Sequence, residues 1–307
     1  MEYLDLPDMK SLATLRAVVE LGGLDPAARE LQIGQPAVTK RLRSLDKIYG
    51  VDLMQRRGRR LGLTTAGEKV YEYACLVLDH QASLSEDLAS LRLGQQQLRL
   101  EVTFAIGEHL LPDLLLRFDE AHPDLRIQSR MGYSRRIQTH LATGLADLAL
   151  LEQAPDHPDI LVQKWLDDEI VLVCGPGHPL WGVEQISVPQ LNALRYVLRE
   201  RSSSKRILLD KALSEIGIDK IQVAMEVGST DTIVEMLQSG RHVSFLPQFA
   251  VNEALANNSL FHIRVHGLRI RRTLWIARTR SNLDNPVAEA FVRLLRTVPE
   301  TPGGEPV

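Results

Sequence analysis

Four guanidinium groups fall within five residues, at Arg56, Arg57, Arg59 and Arg60. Shortly before them stand Gln35, Pro36, Thr39, Lys40 and Arg43. A glutamine can bond an adenine edge through two hydrogen bonds. Threonine, lysine and arginine suit phosphate oxygens. Residues three and four apart share one face of a helix, and proline beside Gln35 suits a first helical turn. The chemistry implied is recognition of a polyanion. From Arg29 to Lys69 ten basic side chains stand against four acidic ones, on a chain of formal net charge −3. Positive charge is therefore concentrated here, as nucleic-acid binding requires.

A second group of residues suits a small anion. Ser202, Ser203 and Ser204 lie between a strand-like run and a helical run, with Arg199, Arg201 and Lys205 beside them. Gly228, Ser229 and Thr230 precede another helical run. Thr103 and Phe104 end a strand-like run, and Tyr133 and Ser134 follow the next, close to Arg135 and Arg136. Helix N-termini expose N–H groups, and small hydroxyl residues complete an anion shell. An ordinary serine cap on a solvated loop would use the same residues.

Catalysis is the opposing class. Cys174 lies near His178, and His109 follows Glu108; such neighbours serve some hydrolases. No nucleophile elbow, phosphate loop or metal-ligand spacing accompanies them. The expectation is no catalytic residue, no metal and no cofactor. Cys75 and Cys174 form no disulfide framework, and each is expected to fill a core.

The elements must place these groups. Asp25 is expected to cap a short helix running from Pro26 to Leu31, whose Ala27, Ala28 and Leu31 make a small apolar face. Ile33-Gly34 breaks it. A second helix runs from Gln35 to about Lys47, with Val38, Leu42 and Leu45 on its inner face. Helix, turn, polar helix and arginine-rich hairpin describe a winged helix-turn-helix. A long helix follows, from Ala66 to about Gln95. Val70, Ala74, Val77, Leu84, Leu88 and Leu91, with Gln81 on the same stripe, form a short heptad seam expected to pair two chains. A plain amphipathic helix packed on its own domain is the alternative. Gly94 to Gln97 marks a hinge. From Leu98 onward strand and helix alternate, which implies parallel sheets with ligand sites at the carboxyl ends of strands.

The block AARELQIGQPAVTKRLRSLD, then YGVDL, then RRGRRLGLTTAG resembles the N-terminal domain of LysR-type transcriptional regulators. Ala27-Ala28, Gln35-Pro36, Thr39, Leu45-Asp46, Leu63-Thr64 and Ala66-Gly67 carry the likeness. Gly34 stands where serine is frequent, Asp46 where glutamate is usual and Met54 where phenylalanine is usual. IGEHLLPDLL, GLADLALL, VLVCGPGHPL, GSTDTIVEMLQSG and VSFLP are similar to the family's effector domain, so the likeness runs from about Met9 to Thr297. LRERSSSKR is similar to a pocket segment of the subgroup that regulates sulfur assimilation or carbon fixation, without its glycine. Phe104 and Ala105 replace the family's common hydroxyl run, making one cleft wall apolar.

The expected fold is α/β, with an all-α-rich winged helix-turn-helix N-terminal domain (1–65), a linker and dimerisation helix (66–95) and a two-lobed, periplasmic-binding-protein-like effector domain (96–297). Lobe 1 takes about 98–165 and 274–297, lobe 2 about 166–273, and 298–307 form a flexible tail. With 307 residues and 44% hydrophobic content, the chain can bury cores for two or three domains. MEYLDLPDMK lacks a basic start and an apolar stretch, so no secretory signal is expected, and no apolar run of the chain approaches the length of a membrane span. The expected protein is a cytoplasmic, sequence-specific regulator and not an enzyme. Its partners are double-stranded DNA with dyad symmetry, a small anionic effector and copies of itself in a homotetramer built as a dimer of dimers. RNA polymerase is kept as a candidate partner. The alternatives are a solute-binding protein or a small-molecule enzyme built on the two lobes.

Overall fold

The computed structural model describes residues 6–57, 60–93, 96–201, 203–280 and 283–298. The chain divides into two compact units, Met1–Gly94 and Gln95–Val307.

The first unit opens with α1 (Met9–Glu20), α2 (Leu24–Glu30) and α3 (Gln35–Tyr49). Asp8 caps α1, accepting from the Ser11 N–H at 2.9 Å. The cap of α2 is Gly23, two residues earlier than the expected Asp25, which lies inside the first turn. Leu24 explains the shift, because it packs on the core and draws the helix start back with it. Gly50, in the left-handed region at φ 69°, ends α3. A hairpin follows, β1 (Met54–Arg57) against β2 (Arg60–Leu63), with Arg56 opposite Leu61. The long α4 (Thr65–Leu93) closes the unit. Leu12, Leu15, Val38, Leu45 and Ala74 meet in one core.

Local chemistry explains the hairpin's anchorage. Asp46 accepts from the Leu53 N–H at 2.9 Å. The Thr64 hydroxyl donates to Asp52 O at 2.8 Å and accepts from the Gly67 N–H at 2.9 Å, capping α4. Gly67 is there because the Leu53 carbonyl passes so close that a Cβ would lie 1.9 Å from its oxygen. Gly67→Ala is therefore expected to cost about 1–3 kcal/mol, read as a lowered midpoint in urea denaturation of the full chain. A midpoint equal to the parent's would rule this packing out.

The expected heptad seam divides in two. Val70 and Ala74 are buried in the unit's own core and Val77 packs against it. Arg16 of α1 holds Asp79 at 2.8 Å. These first positions are therefore intramolecular, because α1 lies along the first half of α4. Further on, Gln81 is exposed, and Leu84 and Leu88 are 53% and 50% exposed. The Leu91 side chain, Gly94 and Gln95 lie outside the described residues, as do the tail residues 299–307.

The second unit is a mixed sheet. β3 (Gln97–Thr103) lies between β4 (Arg126–Gly132) and β5 (Leu148–Leu151), all parallel. The run FAIGEHLLPDLLLRFDEA forms two helices, α5 (Phe104–His109) and α6 (Leu111–Ala121), meeting at Leu110. Pro112 in the first turn of α6 has no N–H to continue the ladder, which explains the break. α7 (Ser134–Ala142) joins β4 to β5. The apolar runs ILVQKWL and EIVLVC, with Asp167 and Asp168 between them, form one 15-residue strand, β6 (Ile160–Cys174). After it come the short β7 (Gln185–Ile186), β8 (Arg195–Arg199), α8 (Ser204–Glu215), β9 (Gln222–Val227), α9 (Thr230–Leu237), β10 (Val243–Pro247), α10 (Gln248–Ala256), β11 (Phe261–Val265), β12 (Ile270–Thr279) and α11 (Pro286–Leu295).

Strand order is β4-β3-β5-β12-β6-β10-β8-β9. β12 pairs antiparallel along its whole length with Ile160–Ile170 of β6, and the two strands run through both lobes. One core gathers Leu100, Leu150, Phe118 and Phe291 in the first lobe. Another gathers Leu172, Tyr196, Leu209 and Phe245 in the second. On the first-lobe side of the junction the β6–β12 register slips: Leu274 faces Leu166 but Trp275 faces Lys164, so Trp165 bulges out. Its indole N–H donates to Leu295 O at 3.0 Å.

Candidate functional site

On α3 the inner face carries Val38, Leu42 and Leu45, all buried. This face directs the polar residues outward. Gln35, Pro36, Lys40 and Arg43 are exposed and Thr39 is half-buried. Gly34 caps the helix without a side-chain bond, so its N-terminus suits a phosphate. Arg41, not singled out in the sequence, turns inward instead and donates to Thr14 Oγ1 at 3.2 Å. Arg56 is exposed on β1. Arg57 and Arg60 pair across the hairpin by backbone register; their side chains, and Arg59 altogether, lie outside the described residues. The face presents the exposed Gln35 amide beside cations of a kind suited to phosphates.

The second unit holds a cavity of about 260 Å³ between the lobes. Its first wall is built at the carboxyl ends of β3, β4 and β5, by Thr103, Phe104, Tyr133, Ser134 and Glu152. Its second wall is built where β8 leads into α8, by Arg199, Ser203, Ser204, Lys205 and Ile207. Parallel strands expose their carboxyl ends and the following helix starts at one edge, so a ligand placed there meets free N–H groups. Phe104 and Tyr133 pack edge to face at 5.1 Å between centroids, forming an apolar rim.

The structure brings together Thr103, Phe104, Tyr133, Ser134, Ser203 and Ser204 from distant parts of the chain. Ser202 lies outside the described residues. Gly228 and Ser229 do not belong to the lining; the Ser229 hydroxyl caps its own helix by accepting from the Thr232 N–H at 3.4 Å. Thr230 contributes from behind, with Oγ1 accepting from Lys205 Nζ at 3.2 Å and from Arg199 at 3.5 Å. The neighbouring cations also separate. Arg201 is exposed and lies 3.7 Å from Glu226, while Arg206 pairs with Asp210 at 2.8 Å.

Sequence reasoning missed Glu152. It is buried in the cavity wall at the end of β5. Arg272 of β12 donates to it at 2.8 Å and to Asp168 of β6 at 2.7 Å. Ser204 Oγ donates to it at 3.2 Å, and Lys205 Nζ lies 4.0 Å away. Burial works to raise the Glu152 carboxyl, but Arg272 and Lys205 overcome it and hold the group below the usual range. Burial pulls the Lys205 ammonium down to about 8, with Glu152 opposing and Arg199 and Arg272 adding to the effect. The signal that could have found Glu152 was an acid closing an apolar strand, LALLE, directly at a strand's carboxyl end.

The enzyme-like neighbours have other uses. Burial pushes the Cys174 thiol up to about 11, so it carries almost no thiolate at neutral pH. His178 accepts from the Leu180 N–H at 3.1 Å within a turn. His109 lies 3.4 Å from Asp231 and 3.9 Å from Glu108, a cluster reaching from α5 to α9 in which burial pulls the imidazole below its usual range. These three are the described residues whose ligand atoms, within 4.8 Å of one another, could hold a metal; Asp231 is exposed. Among the described residues no helix is long and apolar enough to cross a membrane.

Comparison with known proteins agrees with this division of labour. Residues 9–68 match the bacterial regulatory helix-turn-helix proteins of the lysR family, and residues 92–300 match the LysR substrate binding domain. A probable RuBisCO transcriptional regulator of Cyanidium caldarium is 30% identical over 94% of this chain and 93% of its own. Full-length CbnR complexed with its target DNA superposes with a TM-score of 0.65 at 20% identity, covering 94% of this chain and 99% of that one. The Synechocystis CcmR regulatory domain in complex with 2-PG superposes with a TM-score of 0.59 at 23% identity, covering 66% and 96%.

Proposed function

The chain belongs to the LysR family of bacterial regulatory helix-turn-helix proteins, and from that premise we propose that it is a cytoplasmic regulator without catalytic activity, which binds dyad-symmetric duplex DNA as a homo-oligomer and answers to a small anion held between its lobes. The observation that carries this reading is the interlobe cavity, where Lys205, Arg199 and the start of α8 face Thr103 and Ser134. The relative solved with 2-PG, an anion, in the same kind of domain supports the ligand's charge. In this reading Gln35 reads a base edge, while Thr39, Lys40, Arg43, Arg56, Arg57, Arg59 and Arg60 hold phosphates. The effector shell is Thr103, Phe104, Tyr133, Ser134, Ser202, Ser203 and Ser204, with Thr230 supporting Lys205 and Arg199. An effector acts by binding one arrangement of the lobes more tightly than another.

Two measurements test the two halves. Gln35→Ala is expected to cost about 1–3 kcal/mol on the operator and much less on random duplex. Arg56→Ala is expected to weaken both alike and to flatten the salt dependence. Gel shifts across a salt series decide; equal loss on both duplexes for Gln35→Ala would remove its assignment.

The cavity half has a pH signature. Lys205 is charged below about 8, so anion affinity is full at pH 7 and falls as pH rises through that value. Between pH 7 and 9 the loss is roughly tenfold, because the charged fraction falls about tenfold. Calorimetry with a monocarboxylate probe avoids titration of the ligand itself. Lys205→Gln should bind more weakly and show no slope; a parent profile flat to pH 9 excludes Lys205 as the anion's partner.

A further inference from the structure

Two features of the cavity wall ask for more than an anion. Thr103 is 3% exposed and lines the cavity, yet among the described residues its hydroxyl has no hydrogen-bond partner. It stands at the N-cap of α5 without making the cap bond. A buried hydroxyl left unpaired is costly, and such groups in native structures call for a partner. Glu152, in the same lobe, offers the cavity a buried carboxylate that can only accept.

The charges limit what can enter. Arg272 is shared between Glu152 and Asp168. Arg199 is gripped by Glu200 at 2.9 and 3.0 Å. Lys205 has Glu152 as its nearest carboxylate, 4.0 Å away. Three buried cations thus face three acids, with Glu108 a further acid acting on Lys205 and Arg199, so the wall carries no excess positive charge before a ligand arrives. Its remaining attraction for an anion comes from the start of the 12-residue α8 and from exposed Arg135. That suits one negative charge, and Glu152 repels a second. Phe104, Tyr133 and Ile207 add apolar surface beside these groups.

We infer that the cavity takes a small monoanion carrying at least one hydroxyl group, with its anionic end against the start of α8 and its hydroxyl between Glu152 and Thr103. The hydroxyl donates to the carboxylate and is met by the threonine. This rests on the anionic-effector reading and narrows it. A site built to bond a hydroxyl rejects the analogue lacking it, because its own polar groups are left unpaired.

The test is calorimetry on the full chain with matched pairs: mandelate against phenylacetate, and glycerate against propionate, with 3-phosphoglycerate as the multiply charged member. Each hydroxylated probe should bind at least tenfold tighter than its deoxy partner, and 3-phosphoglycerate more weakly than glycerate. Thr103→Val leaves the Arg272 network untouched and should erase most of the hydroxyl preference, bringing each hydroxylated probe close to its deoxy partner. Glu152→Gln should also erase it and should raise the affinity for 3-phosphoglycerate. Equal binding within both pairs, or a preference that survives Thr103→Val, overturns the hydroxyl assignment and leaves the anion reading standing. A 3-phosphoglycerate that binds tighter than glycerate overturns the monoanion assignment. No binding of any probe overturns both the inference and the anionic-effector reading.

Discussion

Arg272→Met should lower the stability of the full chain by about 3–5 kcal/mol, the largest effect expected of a single substitution here. The guanidinium is buried and donates to Glu152 at 2.8 Å and Asp168 at 2.7 Å. Removing one partner of a buried ion pair leaves an uncompensated charge, which costs this much. Here two carboxylates are stranded, one from each strand that flanks β12, and only Glu152 keeps a second cation within reach. Burial already raises the Asp168 carboxyl, with Arg272 partly offsetting it. In the variant the folded-state carboxyls rise above their unfolded values. The deficit is then full at pH 7.5 and shrinks toward pH 5 as protonation removes the buried charge. Melting should fall on the order of 10 °C at pH 7.5. Adding Asp168→Asn should recover part of it. A variant that melts within a degree of the parent would mean that the network is not a structural tie.

The double variant Leu84→Asp/Leu88→Asp should halve the assembly without unfolding the protomer. Both leucines stand half-exposed on the second half of α4, beyond the reach of α1. In a paired seam two such leucines are covered, and a carboxylate at either position is buried without a partner. Light scattering should then report the mass of a monomer, or of a smaller oligomer than the parent. Operator affinity should drop by about 10²–10⁴, because two half-sites no longer bind as one ligand. Circular dichroism should be unchanged. An unchanged mass would place the pairing surface elsewhere.

Local signals were the most legible part of the sequence. Gln35-Pro36 after Gly34, the 38-42-45 apolar spacing and Thr64 ahead of Gly67 each act within a few residues, so each can be read from its neighbours. The cavity was legible in part for the same reason: Thr103, Tyr133-Ser134 and Ser203-Ser204 each sit where a strand hands over to a helix. Glu152 was not legible, because its partners Ser204 and Arg272 lie 52 and 120 residues away, and no spacing in the chain encodes them. Ser229 was misjudged because a helix start that caps itself looks the same in sequence as one left open. Val70 and Ala74 fitted the seam because helical spacing reports that a face is covered and not by which chain.

The slip at Trp165 bears on how the second unit can move. β6 and β12 stay hydrogen-bonded from one lobe into the other, so there is no slack loop about which a lobe could swing. Any change of angle must be taken up as torsion of a two-strand ribbon, most easily where one residue is already out of register. The indole anchored on Leu295 O clamps that point to the first lobe, so the twist is delivered to one side only. Such a ribbon behaves as a stiff spring with a defined rest position: small rotations return, and a bound ligand works against a restoring torque throughout its stay.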